Sequence, residues 1–69
     1  SPKGQKMKIN GENLELNELK FMDYLAQRGL DAKFVALELN GQIISKDDFE
    51  SVVFQMGDEA EVVCFVGGG

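Results

Sequence analysis

Histidine is absent from this chain of 69 residues, and cysteine occurs once. Without histidine the commonest general base and the commonest metal ligand are both missing. A single cysteine and no histidine cannot build a structural zinc site, which takes four such ligands, nor a Cys–His nucleophile pair. A lone Cys64 closes no internal disulfide, which fits a cytoplasmic protein. No apolar run approaches the roughly 20 residues needed to span a bilayer, and no signal peptide is visible, so a membrane is not expected as a partner. Basic residues are missing from Asp47 to Glu61, a stretch that holds six acids, Asp47, Asp48, Glu50, Asp58, Glu59 and Glu61. Nucleic acid is therefore not expected either, because phosphate binding requires clusters of Lys and Arg. A domain this short buries only about 60% of its unfolded surface, too little to enclose a catalytic cavity. The expectation is a chain that is not an enzyme and has no catalytic residue, no metal and no bound cofactor.

What is present suits one small globular domain: 43% hydrophobic and 28% charged residues, with a formal charge of −5. Residues 1–6 read as a flexible extension or the remnant of a tag ahead of Met7, a plausible native start. The acidic surface suits a partner with a basic docking surface. Two Asn-Gly steps, Asn10-Gly11 and Asn40-Gly41, are hairpin signals, since both residue types tolerate positive φ. The first joins a strand from Met7 to a returning strand Asn13–Leu16, with Leu14 and Leu16 on one face. Asn17 reads as a helix N-cap with Glu18 in the first turn. Leu19, Met22, Leu25 and Ala26 then form the buried stripe, with Phe21 and Tyr24 flanking it, and Arg28-Gly29 marks the stop. Phe34–Leu39 reads as a strand with Val35, Leu37 and Leu39 on one face, and Gln42–Ile44 as its short partner. Ser45 to Asp48 fits a capping box opening one helical turn near Lys46–Glu50, pinned to the core by Phe49 and Val52. Gln55–Asp58 is a turn. Ala60–Val66 is the longest apolar run, expected as a strand with neighbours on both sides and Cys64 packed within it.

One helix must cover one face of the sheet, because no other layer exists. With the last strand central and the first parallel to it through a right-handed crossover, the expectation is an α+β fold of the β-grasp kind. It has a mixed sheet of four to five strands and one main helix, over residues 7–66. The acid pairs Asp47-Asp48 and Asp58-Glu59 fall at turns and read as caps or solvated surface.

The chain closes on Phe65-Val66-Gly67-Gly68-Gly69. Three glycines after a strand contribute nothing to a core and cost backbone entropy to order. With no helix following, they do not form a phosphate loop. They do make a slender, flexible tail, residues 67–69, able to enter a passage where any Cβ would clash. From Val66 it reaches at most about 14 Å. The reactive group left to the molecule is the Gly69 α-carboxylate. It is ionised and inert at neutral pH and needs activation, for example as an acyl-adenylate made by a partner that uses ATP.

Met7–Glu12, Val35–Ile44 and Gly57–Gly69 together resemble the ThiS sulfur carriers of thiamine biosynthesis, across nearly all of residues 7–69. The resemblance implies a ubiquitin-like β-grasp fold, and that Gly69 is adenylated by a ThiF-like enzyme and converted to a thiocarboxylate with sulfur from a cysteine desulfurase. That sulfur would pass to thiazole synthase, ThiG. By position, Gly69 carries the acyl group, Gly68 and Gly67 enter the partner's active site, and Phe65 and Val66 are docking contacts. Two other readings stay open: a MoaD-like carrier for molybdopterin synthesis or another sulfur pathway, and a ubiquitin-like protein modifier or interaction module.

Overall fold

A computed structural model describes residues 6–65. Both Asn-Gly steps form tight hairpin turns in which each residue has positive φ: Asn10 53° and Gly11 82°, Asn40 51° and Gly41 86°. The first joins β1 (Met7–Ile9) to β2 (Glu12–Leu14), and the second joins β4 (Val35–Leu39) to β5 (Gln42–Ile44). Between the hairpins lie β3 (Glu18–Lys20), α1 (Phe21–Arg28) and a 3-10 turn at Ala32–Phe34. After them come a 3-10 helix at Lys46–Ser51, β6 (Val53–Gln55) and β7 (Glu59–Cys64). The main sheet has the order β2-β1-β7-β4-β5, with β7 central. β1 runs parallel to β7, and β4 runs antiparallel to it over five residue pairs, from Val35↔Cys64 to Leu39↔Ala60. This is the mixed five-stranded β-grasp sheet expected from the order of elements.

Period-2 alternation divides the sheet cleanly. Met7, Ile9, Val35, Leu37, Ala60 and Val62 are buried on one face beneath Phe21, Tyr24 and Leu25 of α1. Phe21, Tyr24, Phe49 and Phe54 pack edge to face, with ring centroids 4.9 to 6.4 Å apart. Phe49 anchors the 3-10 helix, whose Ser45 Oγ accepts from the Asp47 amide at 3.2 Å.

The helix departs from expectation in phase. Asn17 is not its cap. Glu18–Lys20 instead pairs with β6 in a second, two-stranded sheet, Leu19 lying opposite Phe54. α1 starts at Phe21, whose amide donates to the Val52 carbonyl at 3.0 Å, and its buried stripe is Phe21, Tyr24 and Leu25 rather than Leu19, Met22, Leu25 and Ala26. Tertiary pairing overrides the local capping preference because Phe54, fully buried, needs a partner strand. The stop is where expected. Gly29, at φ 68°, donates to the Ala26 carbonyl while Leu30 donates to that of Leu25, so the last turn's acceptors are filled by a Schellman motif. β2 ends at Leu14, and Leu16, expected beside it, is 45% exposed.

The two turn asparagines also hold β7 from either side. Asn10 accepts from the Val62 amide at 2.7 Å through Oδ1 and donates from Nδ2 to the Val62 carbonyl at 3.2 Å. It thus stands in for the strand residue that β1 lacks beyond Ile9. Asn40 Oδ1 accepts from the Glu59 amide at 2.9 Å, and its Nδ2 donates to Asp58 at 3.0 Å.

Candidate functional site

β7 carries the chain from the centre of the sheet towards its C-terminal residues. Its first half is locked in place: Ala60 and Val62 are buried, and Asn10 and Asn40 bond its backbone. Its end is open. Val63 is 51% and Phe65 56% exposed, and Cys64 is exposed as well. The exposed thiol corrects the expectation that Cys64 is packed mid-strand. It follows Val62 on the covered face but sits at the last position of the strand and is exposed, although Val35 opposite it is buried. The backbone stays ordered one residue further, as the Phe65 amide donates to the Phe34 carbonyl at 2.7 Å. Val66, Gly67, Gly68 and Gly69 lie outside the described residues, as do residues 1–5.

The face of the sheet away from α1 is chemically mixed. Ile43 is 74% exposed and lies opposite Glu38, which in turn lies opposite Glu61. Val63 lies opposite Ala36. Glu38, Glu59 and Glu61 line a shallow depression of about 420 Å³ together with Asn40 and Gly41. The ion pairs formed among the described residues are elsewhere: Lys6 with Glu15 at 3.7 Å and Arg28 with Glu12 at 3.5 Å, both at the surface. Sequence reasoning singled out Phe65 on this side but not Phe34, Ile43 or Val63. Their exposure follows from strand register, and the available signal was the alternation of Val35, Leu37 and Leu39, which assigns the intervening positions to the opposite face.

Among the turn acids, Asp58 is structural, accepting from the Gln55 amide at 2.8 Å and from Asn40, and Asp47 and Asp48 lie in the first turn of the 3-10 helix. Among the described residues no group of three or more His, Cys, Asp or Glu side chains is placed to hold a metal ion. No described helix is long and apolar enough to cross a membrane. The arrangement therefore offers a packed core, one open sheet face, and a central strand whose last described residues are exposed.

Comparison with known proteins places this architecture. The family model described as the ThiS family matches residues 4–69. A crystal structure of a thiamine biosynthesis protein (ThiS) from Geobacter metallireducens is similar at 27% identity and TM-score 0.70, covering 91% of this chain and 97% of that one. A solution structure of a thiamine biosynthesis protein from the same organism gives 26% identity and TM-score 0.69, covering 93% of this chain and 87% of that one. A thiazole synthase of Paramagnetospirillum magneticum is 35% identical over 65 residues. Those residues make up 93% of this chain but only 20% of that protein, so the chain spans about one fifth of the curated relative's length. With a family match over nearly every residue and the same fold in solved members, this chain belongs to the ThiS family.

Proposed function

We propose that the chain is a sulfur carrier in thiamine biosynthesis, and that its working group is the α-carboxylate of Gly69. The observation that carries this reading is the match to the ThiS family, which runs through Gly69 and includes the whole glycine tail. A ThiF-like enzyme would bind ATP and use it to activate this carboxylate. The carboxylate oxygen attacks the α-phosphorus, pyrophosphate leaves, and the acyl carbon becomes electrophilic. A sulfur nucleophile from a cysteine desulfurase then displaces AMP. A thiol reduces any S–S bond retained from the donor, leaving the C-terminal thiocarboxylate. The chain's own part is physical: the body binds and orients, and Gly67 and Gly68 admit the end to a narrow site. Basic groups that stabilise the adenylating transition state belong to the partner. The downstream partner is thiazole synthase, supported by the resemblance of this chain to part of a protein of that name.

The test is the intact mass of the carrier after incubation with ATP, a ThiF-like enzyme and a cysteine desulfurase with cysteine. One oxygen-for-sulfur exchange at the terminus is expected, followed by its loss when thiazole synthase and its substrates are added. A mass that stays unchanged, or a covalent adduct on a lysine, overturns the carrier reading in favour of an interaction module or a conjugating modifier.

A further inference from the structure

The two Asn-Gly turns carry a chemistry beyond hairpin formation, and the fold holds them unequally. We propose that Asn40 is a deamidation site of the folded chain, where the turn between β4 and β5 converts to aspartate or isoaspartate, whereas Asn10 is shielded by the central strand. The isoaspartate form is then a substrate for a carboxyl methyltransferase that recognises that residue.

An asparagine side chain is lost when the backbone nitrogen of the next residue, having given its proton to base, attacks the side-chain carbon Cγ. An N–Cγ bond forms, the Cγ–Nδ2 bond breaks, and Nδ2 leaves as ammonia with a proton from water. Water then opens the succinimide at one of its two carbonyls, giving aspartate or isoaspartate. No oxidant or reductant takes part. Attack is easiest where the following residue has no side chain in the way. Asn13 precedes Leu14 and Asn17 precedes Glu18, whereas Asn10 and Asn40 both precede glycine.

Around the attacking nitrogen the two turns are alike. The Gly11 and Gly41 amides donate to no acceptor among the described residues, and a Cβ on either glycine would meet nothing within 4 Å. Water and base therefore reach both. The difference lies in what holds Cγ. Both side-chain atoms of Asn10 bond the backbone of Val62 in the central strand, Oδ1 at 2.7 Å and Nδ2 at 3.2 Å, and these bonds are part-buried. Turning Cγ towards Gly11 breaks two bonds in the middle of the sheet. Asn40 is held at the surface, by the Glu59 amide at 2.9 Å and the Asp58 carboxylate at 3.0 Å, and both bonds are exposed. Exposed groups that part company are met at once by water, so the turning costs less there. Opening at a surface turn also lies lower in free energy than opening a core strand.

Charge gives the conversion a consequence. The Asp58 carboxylate also accepts from the Gln55 amide at 2.8 Å, and the Asp58 carbonyl accepts from the Lys8 amide at 2.9 Å. The Asn40 amide donates to the Glu59 carbonyl at 2.8 Å. Asn40 is thus the neutral member of a knot that ties β1, the β4–β5 turn, β6 and the start of β7. Deamidation replaces its donor with a carboxylate set against that of Asp58, and like charges repel. Isoaspartate also adds a methylene to the backbone of a turn built on two adjacent positive φ angles, 51° and 86°.

The test incubates the full chain at mildly alkaline pH, once folded and once in urea. Peptide mapping by mass spectrometry assigns each conversion. Methyl transfer from S-adenosylmethionine by an isoaspartate carboxyl methyltransferase counts the isoaspartate. In the folded chain Asn40 is expected to convert about tenfold or more faster than Asn10, and in urea the two are expected to convert alike. Asn40→Asp is expected to lower the urea midpoint and to speed hydrogen exchange at the Glu59 amide. Adding Asp58→Asn, which returns a donor and removes a charge, is expected to restore both. Asn10 converting as fast as Asn40 in the folded chain, or Asn40 staying intact while the unfolded chain converts, overturns the proposal, and neither result depends on a variant folding. A converted chain that accepts no methyl group, or a urea midpoint that Asn40→Asp leaves in place, overturns the assigned partner or the assigned consequence respectively.

Discussion

The two faces of one sheet make opposite use of the same backbone. Under α1, alternate residues of β1, β4 and β7 are apolar, buried and interlocked with an aromatic cluster. On the other side the intervening residues are Lys8, Glu38, Glu59, Glu61, Ala36, Val63 and Ile43, and Ile43 stands 74% exposed. The covered face holds the fold, so substitutions there act on stability. The uncovered face is exposed, so substitutions there are expected to leave stability nearly unchanged. A domain with a single helix has no second layer with which to cover it. The difference shows how a short chain keeps a buried core while leaving one sheet face in water.

This division can be broken or sharpened by measurement. The largest effect is expected at the tail: deleting Gly68 and Gly69 abolishes ATP-dependent modification while circular dichroism and thermal unfolding stay those of the full chain. A truncated chain that is still modified would refute the placement of the chemistry. Next comes the covered face. Phe54→Ala removes a fully buried ring and should cost about 3–5 kcal/mol, enough to unfold much of a domain whose total stability is of order 5–15 kcal/mol; urea unfolding reads the loss. Asn10→Ala comes third. It leaves the part-buried Val62 amide and carbonyl without their side-chain partner and should cost about 1–3 kcal/mol, with faster hydrogen exchange at Val62 as its local mark. The smallest change is expected at Ile43→Ser and Cys64→Ser, both exposed, whose unfolding free energies should stay within about 0.5 kcal/mol of the parent. Cys64→Ser should also keep sulfur transfer, whereas loss of transfer in a folded Cys64→Ser chain would give the thiol a chemical role.

The architecture was legible where local chemistry and global pattern agree. Asn10-Gly11 and Asn40-Gly41 announced both hairpins, and the length of the Ala60–Val66 run announced a central strand. Gly29 fixed the end of α1. The small β3–β6 sheet was hidden because each strand has three residues, too few to show a period, and because Asn17-Glu18 carries a helix-start signal that pairing with Val53–Gln55 overrides. The phase of α1 followed from that error, which moved Phe21 and Tyr24 from flank to centre. The exposure of Cys64 is not legible in the sequence, because apolar neighbours along the chain do not say that it is the last residue of its strand. The candidate site was legible only along the chain: Phe65 stands next to the glycines in sequence, whereas Phe34 comes beside Phe65 through register alone.

The central position of β7 has a consequence for how the molecule is made. All other strands of the main sheet, directly or through β1 and β4, depend on a strand that begins at Glu59. Synthesis runs from the N-terminus, so both hairpins leave the ribosome with nothing between them, and the contacts that join them are long-range and late. A polypeptide broken off before Glu59 therefore has no sheet to complete and remains exposed to proteolysis.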